Sequence, residues 1–184
     1  MKIILIRHGM TEGNLKRRYI GTTDEDLINT DCLKGDYPKC ERVVASPLKR
    51  CIQTAEYIYP NVDIEICDKL KECDFGDFEN KSYEDLKDNP DYQKWIDSNG
   101  ELPFPNGETH EDFKNRCKDG FFESLTERDT AFVIHGGSIM AIMQKLFGGN
   151  FYDYQVKNGC GYLVCLDTDE WLAEKGTLSV IEKF

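Results

Sequence analysis

The chain has 184 residues, of which 40% are hydrophobic and 11% aromatic, so it is long enough and apolar enough to form one compact core. This composition disfavours disorder, collagen and coiled coils. The formal net charge of −11 repels polyanions, so we expect neither nucleic acid nor an acidic membrane surface as a partner.

Features of the sequence that bear on cellular location all favour the cytoplasm. No apolar run approaches the ~18 residues that a membrane span requires. The apolar run after Lys2 is too short for the hydrophobic region of a secretory signal. The eight cysteines include no CxxC pair. We therefore expect a cytoplasmic protein whose cysteines are reduced thiols, mostly packed in the core.

Short β-branched runs alternate with longer amphipathic stretches, a pattern typical of a mainly parallel α/β sheet covered by helices. In chain order, the predicted strands are Ile3–Arg7, Arg42–Ala45, Asp63–Cys67, Ala131–His135, Gly161–Leu166 and Leu178–Glu182. The predicted helices are one that follows Ser46 as N-cap and Pro47 as first residue, then Ser82–Lys87, Pro90–Ser98, Thr109–Glu127 and Gly137–Phe147.

The segment 74–108 has a less regular pattern than the rest of the chain. It contains ten acidic and three basic residues, which contribute −7 of the net charge. Its two predicted helices are short, and Asn89 is the expected cap of the second. We interpret the segment as a small acidic helical insertion that folds over one end of the sheet, within a single domain spanning residues 1–184.

Two predicted strands end in a histidine followed by glycine, at His8-Gly9 and His135-Gly136. In a parallel α/β sheet, ligands bind beyond the carboxyl ends of the strands, so both imidazoles are expected at the same edge. A single histidine in such a position more often packs or caps a helix. Two histidines in equivalent positions favour a functional site.

Two arginines are predicted close to these histidines. Arg7 directly precedes His8, and Arg50 lies in the first turn of the helix that follows the second strand. A helix N-terminus and guanidinium groups bind phosphate oxygens, although a lone Arg50 would by default be a solvated surface residue. This combination predicts a pocket for one phosphoryl group of a small metabolite. A neutral imidazole there is able to act as the nucleophile.

A proton donor for the leaving alkoxide is also required, and Glu72 is the main candidate. Apolar neighbours are expected to desolvate its carboxyl group and raise its pKa. Asp74, Asp77 and Glu79 are rival candidates in the same stretch, and the sequence does not decide among them.

Several segments together resemble the signature of the histidine phosphatase superfamily, the phosphoglycerate-mutase-like proteins. The Arg7-His8-Gly9 motif carries the resemblance most clearly, and the other blocks follow in the order of the family from residue 3 to about residue 145. The matching segments are Leu5–Asn14, Ser46–Ala55, Glu72–Glu79, Pro105–Thr109 and Val133–Gly137.

This resemblance implies a three-layer α/β/α sandwich with a mainly parallel central sheet. It implies that His8 becomes phosphorylated and that Glu72 first protonates the leaving oxygen and then deprotonates the hydrolytic water. The implied phosphate ligands are Arg7, Asn14, Arg50 and His135, and Gly21 is implied to contact the substrate. Neither a metal ion nor a cofactor is implied.

The resemblance leaves more than one function open. The favoured function is hydrolysis of a small phosphomonoester, and the short chain and the Pro105–Thr109 block look most like the branch that includes the α-ribazole phosphatases of cobalamin assembly. The alternatives are a phosphoglycerate-mutase-type phosphoryl transfer and, more remotely, a non-catalytic phosphate-binding adaptor. The protein is expected to be a monomer or a homodimer.

Three positions depart from the family pattern. Ile20 stands where relatives usually carry a polar residue near the substrate, which counts against a mutase. Asn80 replaces a common glycine, as expected if that position requires a positive φ. The segment Asn29–Glu41 has room for only a turn or two where relatives have a full helix.

Overall fold

The computed structural model describes residues 1–166 and 178–184. Within these residues, six strands form one sheet. The strands are β1 (Lys2–Arg7), β2 (Arg42–Ala45), β3 (Ile64–Ile66), β4 (Thr130–Ile134), β5 (Gly161–Leu166) and β6 (Leu178–Lys183). Each lies within one residue of its predicted boundaries at both ends.

The sheet has the order β3-β2-β4-β1-β5-β6. Its first four strands run parallel, and β5 pairs antiparallel with β1. The parallel part brings the carboxyl ends of β1, β2 and β4 to one edge. The antiparallel pairing brings the start of β5 to that same edge, which matters for the site described below.

Helices cover both faces of the sheet, which confirms the predicted α/β fold. Their ranges are α1 (Glu12–Leu15), α2 (Lys49–Ile58), α3 (Tyr83–Leu86), α4 (Pro90–Asp97), α5 (His110–Glu123) and α6 (Gly136–Phe147). Alternation along β1 explains the layers, because Ile3 and Leu5 pack with α5 and α6 on one face. Ile4 and Ile6 pack with α2 on the opposite face.

The predicted start of α2 is wrong. Leu48 is the N-cap, and neither Ser46 nor Pro47 has the predicted role. The Ser46 oxygen accepts from the backbone N–H of Leu48 at 3.5 Å, one residue ahead of the helix, and also bonds to the ring of His135 at 2.8 Å. Its second contact orients a histidine at the edge of the sheet.

The predicted end of α5 is also too late, because the helix stops at Glu123 with Ser124 as its C-cap. Two residues on, the hydroxyl of Thr126 accepts a hydrogen bond from the backbone N–H of Arg128 at 3.3 Å. Such local side-chain bonds favour turns over helix, and this turn leads directly into β4.

The acidic segment 74–108 contains α3 and α4, as predicted. Ser82 caps α3, and Asn89 caps α4 ahead of Pro90. The segment surrounds its own group of buried rings, among which are Phe78 and Tyr92. This group lies beside α5 and α6 rather than between the sheet and its helices.

Two smaller predictions are confirmed. Asn80 has φ of 59°, a left-handed conformation in which asparagine is tolerated better than most residues. The segment Asn29–Glu41 holds only a single 3-10 turn, Asp31–Leu33.

All eight cysteines are free thiols. Among the residues that the structure describes, none of the helices combines the length and apolar character needed to cross a bilayer.

Candidate active site

His8 follows β1, and the structure fixes its tautomer. Its backbone N–H continues the sheet by donating to Ile134, and the side chain is only 3% exposed. Its Nδ1 lies 2.7 Å from the carbonyl oxygen of Gly9. Because a carbonyl only accepts, Nδ1 carries the proton. The lone pair is then on Nε2, which has no hydrogen-bond partner among the described residues.

His135 follows β4, the strand beside β1, so the two histidines meet at one edge of the sheet as predicted. Their ring centroids are 5.2 Å apart, with the rings edge to face. His135 Nδ1 accepts from Arg50 Nε at 3.3 Å, which places the ring proton on Nε2. That Nε2–H donates to the hydroxyl of Ser46.

Burial lowers the pKa of His8 and of His135 well below 6.5, and the nearby guanidinium groups of Arg50 and Arg7 lower both further. Both rings are therefore neutral at neutral pH. For His8 this is the form that leaves Nε2 free to attack an electrophile.

The lowered pKa values predict a pH-dependent stability. An unfolded histidine takes up a proton below about 6.5, whereas the folded one does not until a lower pH. We therefore expect the free energy of unfolding to be highest above this pH and to decrease below it, by about 1.4 kcal/mol per pH unit for each histidine. Urea unfolding at a series of pH values measures this. The double variant His8→Gln/His135→Gln, which retains Glu72, should show a shallower decrease, and an equal slope would contradict the assignment.

The two arginines occupy different positions. The side chain of Arg7 lies in the wall of a cavity beside His8, and its Nη1 donates to the carbonyl of Val156 at 2.8 Å. Its buried Nε has no partner among the described residues. Its Nε and Nη2 thus have no hydrogen-bond partner among the described residues, as expected of an arginine that receives an anion.

Arg50 is fully buried and lies behind the cavity wall. Besides His135, its guanidinium donates to the carbonyls of Thr23 and Gly21, at 2.7 and 2.9 Å. Its structural role is to hold the loop formed by residues 20–23, which follows α1, against the histidines. Its role as a phosphate ligand stays a prediction, and so does that of His135, which also lies outside the wall.

Glu72 is the one acidic side chain in the cavity wall among the described residues. Its carboxylate accepts from the backbone N–H of Cys73 at 3.0 Å and of Gly137 at 3.1 Å. Burial nevertheless raises its pKa, because the effect of burial is larger than the lowering by these two bonds and by the neighbouring arginines. A raised pKa suits a carboxyl group that has to donate a proton.

The rival carboxylates are engaged elsewhere. Glu79 accepts from the N–H groups of Gly21 and Thr23, both at 2.9 Å. Asp74 accepts from Gly76, and Asp77 accepts from the side chain of Asn106. None of the three lines the cavity.

Asn14 and Gly21 have contrasting surroundings. Asn14 lies in the cavity wall, and its Oδ1 accepts from the side chain of Asn158 at 2.9 Å, so its Nδ2 remains without a partner among the described residues. Gly21 lies outside the wall. A Cβ there would lie 1.9 Å from the carbonyl oxygen of Cys73, so glycine is required for close packing. The substrate contact predicted for Gly21 stays a prediction.

Asn158 is a site residue that the sequence analysis missed. Its Nδ2 donates to Asn14 and also lies 3.1 Å from the carbonyl oxygens of His8 and Gly9. It therefore orients both the His8 backbone and the Asn14 amide. The signal in the sequence was its position three residues before β5, the antiparallel neighbour of β1.

Arg7, His8, Asn14 and Glu72 line a cavity of about 370 Å³. A neutral histidine, a partly engaged guanidinium and a protonatable carboxyl group thus border a space that accommodates a small molecule. A model of the histidine phosphatase superfamily (branch 1) matches residues 3–177. The chain belongs to this superfamily. It is accordingly a phosphatase, a hydrolase of phosphoric monoesters.

Individual relatives agree with this membership. The chain is 31% identical over 186 residues to PhoE of Bacillus subtilis, an uncharacterized phosphatase, with 94% of this chain and 90% of PhoE covered. It is 26% identical over 181 residues to the adenosylcobalamin/alpha-ribazole phosphatase of Salmonella typhimurium, covering 87% and 88%. The crystal structure of alpha-ribazole phosphatase from Shigella flexneri superposes with a TM-score of 0.77 at 24% identity, covering 98% and 95%, which shows the shared fold.

Proposed function

We propose that the protein hydrolyses a small phosphomonoester through a phosphohistidine formed on Nε2 of His8. The observation that carries this proposal is the state of the His8 ring. Its Nδ1–H is held by the Gly9 carbonyl, whereas Nε2 has no hydrogen-bond partner among the described residues, and the residue lines the cavity. A neutral imidazole with a fixed tautomer is prepared for nucleophilic attack.

In the first step, the phosphoryl group binds between His8 and Arg7. Nε2 attacks phosphorus, an N–P bond forms, and the P–O bond to the leaving alcohol breaks. Glu72 in its protonated form gives its proton to the leaving oxygen. Arg7 and the amide of Asn14 are positioned to stabilise charge on the transferring phosphoryl oxygens, with Arg50 and His135 behind them.

In the second step, Glu72 is ionised and takes a proton from a water molecule. The water oxygen attacks phosphorus, and the N–P bond breaks. Inorganic phosphate leaves, and both His8 and Glu72 return to their starting protonation states. One carboxyl group thus serves as acid and then as base, which requires the raised pKa described above.

For the substrate, we propose α-ribazole 5′-phosphate as the first candidate, supported by the name of the Salmonella typhimurium relative. We further propose that the protein acts in cobalamin biosynthesis and in the cytoplasm. A mutase has to protect its phosphoenzyme from water and to hold a carboxylate near the phosphate. Ile20, an apolar residue in the cavity wall, does not serve the second requirement.

The experiment that tests this function is a screen of phosphorylated metabolites that includes α-ribazole 5′-phosphate and 3-phosphoglycerate. Released inorganic phosphate and the organic product are measured together by mass spectrometry. We expect release of phosphate with the free alcohol as product. Isomerisation of 3-phosphoglycerate without net phosphate release would instead identify a mutase, and binding without turnover of any ester would identify an adaptor.

The proposed mechanism also predicts that chelators have no effect. The positive charge that faces the phosphoryl group is supplied by guanidinium groups of the protein itself. We therefore expect incubation with EDTA followed by gel filtration to leave kcat/KM for p-nitrophenyl phosphate unchanged. A large loss that added divalent metal restores would contradict this mechanism.

A further inference from the structure

The segment that carries Glu72 lacks regular secondary structure. Residues 71–75 belong to neither a helix nor a strand. The backbone polar groups of such a segment need hydrogen-bond partners that a sheet or a helix does not provide. The groups that supply these partners decide how firmly Glu72 is kept beside the cavity.

Arg116 of α5 supplies several of these partners. Its Nη1 donates to the backbone carbonyls of Lys69 and Lys71 at 2.9 and 3.0 Å, and its Nη2 donates to that of Glu72 at 3.2 Å. Its Nε and Nη2 also donate to the two carboxylate oxygens of Glu108, at 2.8 and 2.7 Å. These five bonds use all five N–H groups of the guanidinium, so Arg116 has no donor left for a substrate.

Glu108 holds the chain on the other side of Glu72. Its backbone N–H donates to the carbonyl of Asp74 at 3.0 Å, and its carboxylate accepts from the N–H of Asp74 at 3.4 Å. A Cβ at Gly107 would lie 2.5 Å from the same carbonyl oxygen, so glycine is required for this close approach. The Gly107-Glu108 pair thus gives the Pro105–Thr109 block a physical role beside the site.

The charges of Arg116 and Glu108 balance each other. The two side chains are only 27% and 17% exposed, and they form a two-bond ion pair. A guanidinium next to Glu72 without such a partner would favour the ionised form of the Glu72 carboxyl group, which has no proton to donate. Glu108 therefore allows an arginine to hold this backbone without adding net charge beside the acid.

We propose that Arg116, paired with Glu108, is a positioning residue that fixes the backbone at Glu72 and thereby keeps its carboxyl group at the N–H of Gly137. Neither Arg116 nor Glu108 is among the described residues that line the cavity, so the pair acts through Glu72 and not on the substrate. The proposal rests on the proposed function, in which Glu72 is the acid and then the base. The position of the carboxyl group is measured without turnover, so the failure of one proposal is distinguishable from that of the other.

The first measurement reports where the carboxyl group lies. The N–H of Gly137, in the first turn of α6, has no partner within the helix and donates to Glu72 at 3.1 Å. In Arg116→Met, we expect the ¹H–¹⁵N resonance of Gly137 to move toward its position in Glu72→Ala. Its amide exchange should become at least about tenfold faster. A Gly137 resonance and exchange rate like those of the wild type would overturn the proposal.

The second measurement reports proton donation. In Arg116→Met, the first-step rate should decrease at least about tenfold more for an alkyl phosphate than for p-nitrophenyl phosphate, whose leaving group needs no proton. In the Glu72→Gln background, the same substitution should cost the alkyl ester little more, because both changes remove one interaction. Equal losses for the two esters, or losses that add in the double variant, would overturn the proposal. If Glu72→Gln itself does not discriminate between the esters, the proposed acid is wrong, and the Gly137 resonance alone decides the role of Arg116.

Arg42 provides a matched control. Its guanidinium also donates to a carboxylate, that of Glu65, and to a backbone carbonyl, that of Ser124. It lies at the start of β2, the edge of the sheet opposite to the site. Arg42→Met should leave both the Gly137 resonance and the alkyl-to-aryl rate ratio as in the wild type. Equal effects in the Arg42 and Arg116 variants would show general destabilisation and contradict the proposal.

A second variant covers the case in which Arg116→Met does not fold. Arg116→Lys keeps a cation for Glu108 but lacks the planar fork that reaches three carbonyls. We expect both measurements to change in the same direction as in Arg116→Met, by a smaller amount. A folded Arg116→Lys variant with wild-type values in both measurements would contradict the proposal.

Discussion

Replacing His8 with alanine should abolish phosphatase activity, with kcat for p-nitrophenyl phosphate reduced by at least about a thousandfold. The side chain supplies the atom that forms the N–P bond, and the other two histidines have no equivalent position. His135 uses both ring nitrogens in contacts with Arg50 and Ser46. His110 lies against Phe151, with ring centroids 4.7 Å apart.

The control for this variant is binding of inorganic phosphate. Arg7 and Asn14 remain in His8→Ala, so the variant should still bind phosphate and should fold with a far-ultraviolet circular dichroism spectrum like that of the wild type. Loss of turnover with retained phosphate binding assigns the loss to chemistry. Retained turnover above a few per cent in the folded variant would remove His8 as the nucleophile.

The second large effect is expected for Glu72→Gln, and its size should depend on the leaving group. An alkoxide is a poor leaving group and needs a proton, so kcat for an alkyl phosphate should decrease by about 10²–10⁴. A nitrophenolate leaves without a proton, so the first step with p-nitrophenyl phosphate should be affected much less. Burst kinetics with both esters separate this step from hydrolysis of the phosphoenzyme.

Glu79→Gln is the matched control for this substitution. Glu79 is a neighbouring carboxylate in the same stretch, but it binds the backbone of Gly21 and Thr23 instead of facing the cavity. This variant should change the rates for alkyl and aryl esters by the same factor. Equal losses of the first-step rate for both esters in Glu72→Gln, or a leaving-group-dependent loss of that rate in Glu79→Gln, would reassign the acid.

The sequence predicts the strands and the meeting of the two histidines well, for a physical reason. Both strands are continuous apolar runs buried on two faces, and a parallel arrangement forces their carboxyl ends to one edge. His8 and His135 are consequently adjacent whatever the details of the loops. The cap Asn89 was predictable for a similar reason, since it is decided by local hydrogen bonds to the first turn of its helix.

What the sequence does not predict depends on contacts between distant residues. Ser46 is a good helix cap by type, yet its hydroxyl bonds to His135, which is 89 positions away along the chain. Asn158 acts on His8 only because β5 runs antiparallel to β1, a pairing that local patterns do not specify. Local sequence patterns also do not show in which direction a long side chain points. Arg50, which is buried behind the cavity, is an example.

The choice of Glu72 over its rivals is an intermediate case. Its position in the family motif favoured it, but four carboxylates within eight residues are equivalent by composition. The structure separates them because the chain turns sharply at Gly76, which has φ of +50°. Glu72 before this turn faces the cavity, whereas Glu79 beyond it faces the loop at Gly21.

The most direct test of the proposed mechanism is to trap the phosphoenzyme. The wild-type protein is mixed with a radiolabelled phosphomonoester, quenched in alkali within milliseconds, digested and analysed by mass spectrometry under alkaline conditions. We expect a phosphoryl group on His8 that is stable to alkali and lost in acid. A label on another residue, or full turnover in single-turnover experiments with no labelled enzyme at any time, would contradict the mechanism.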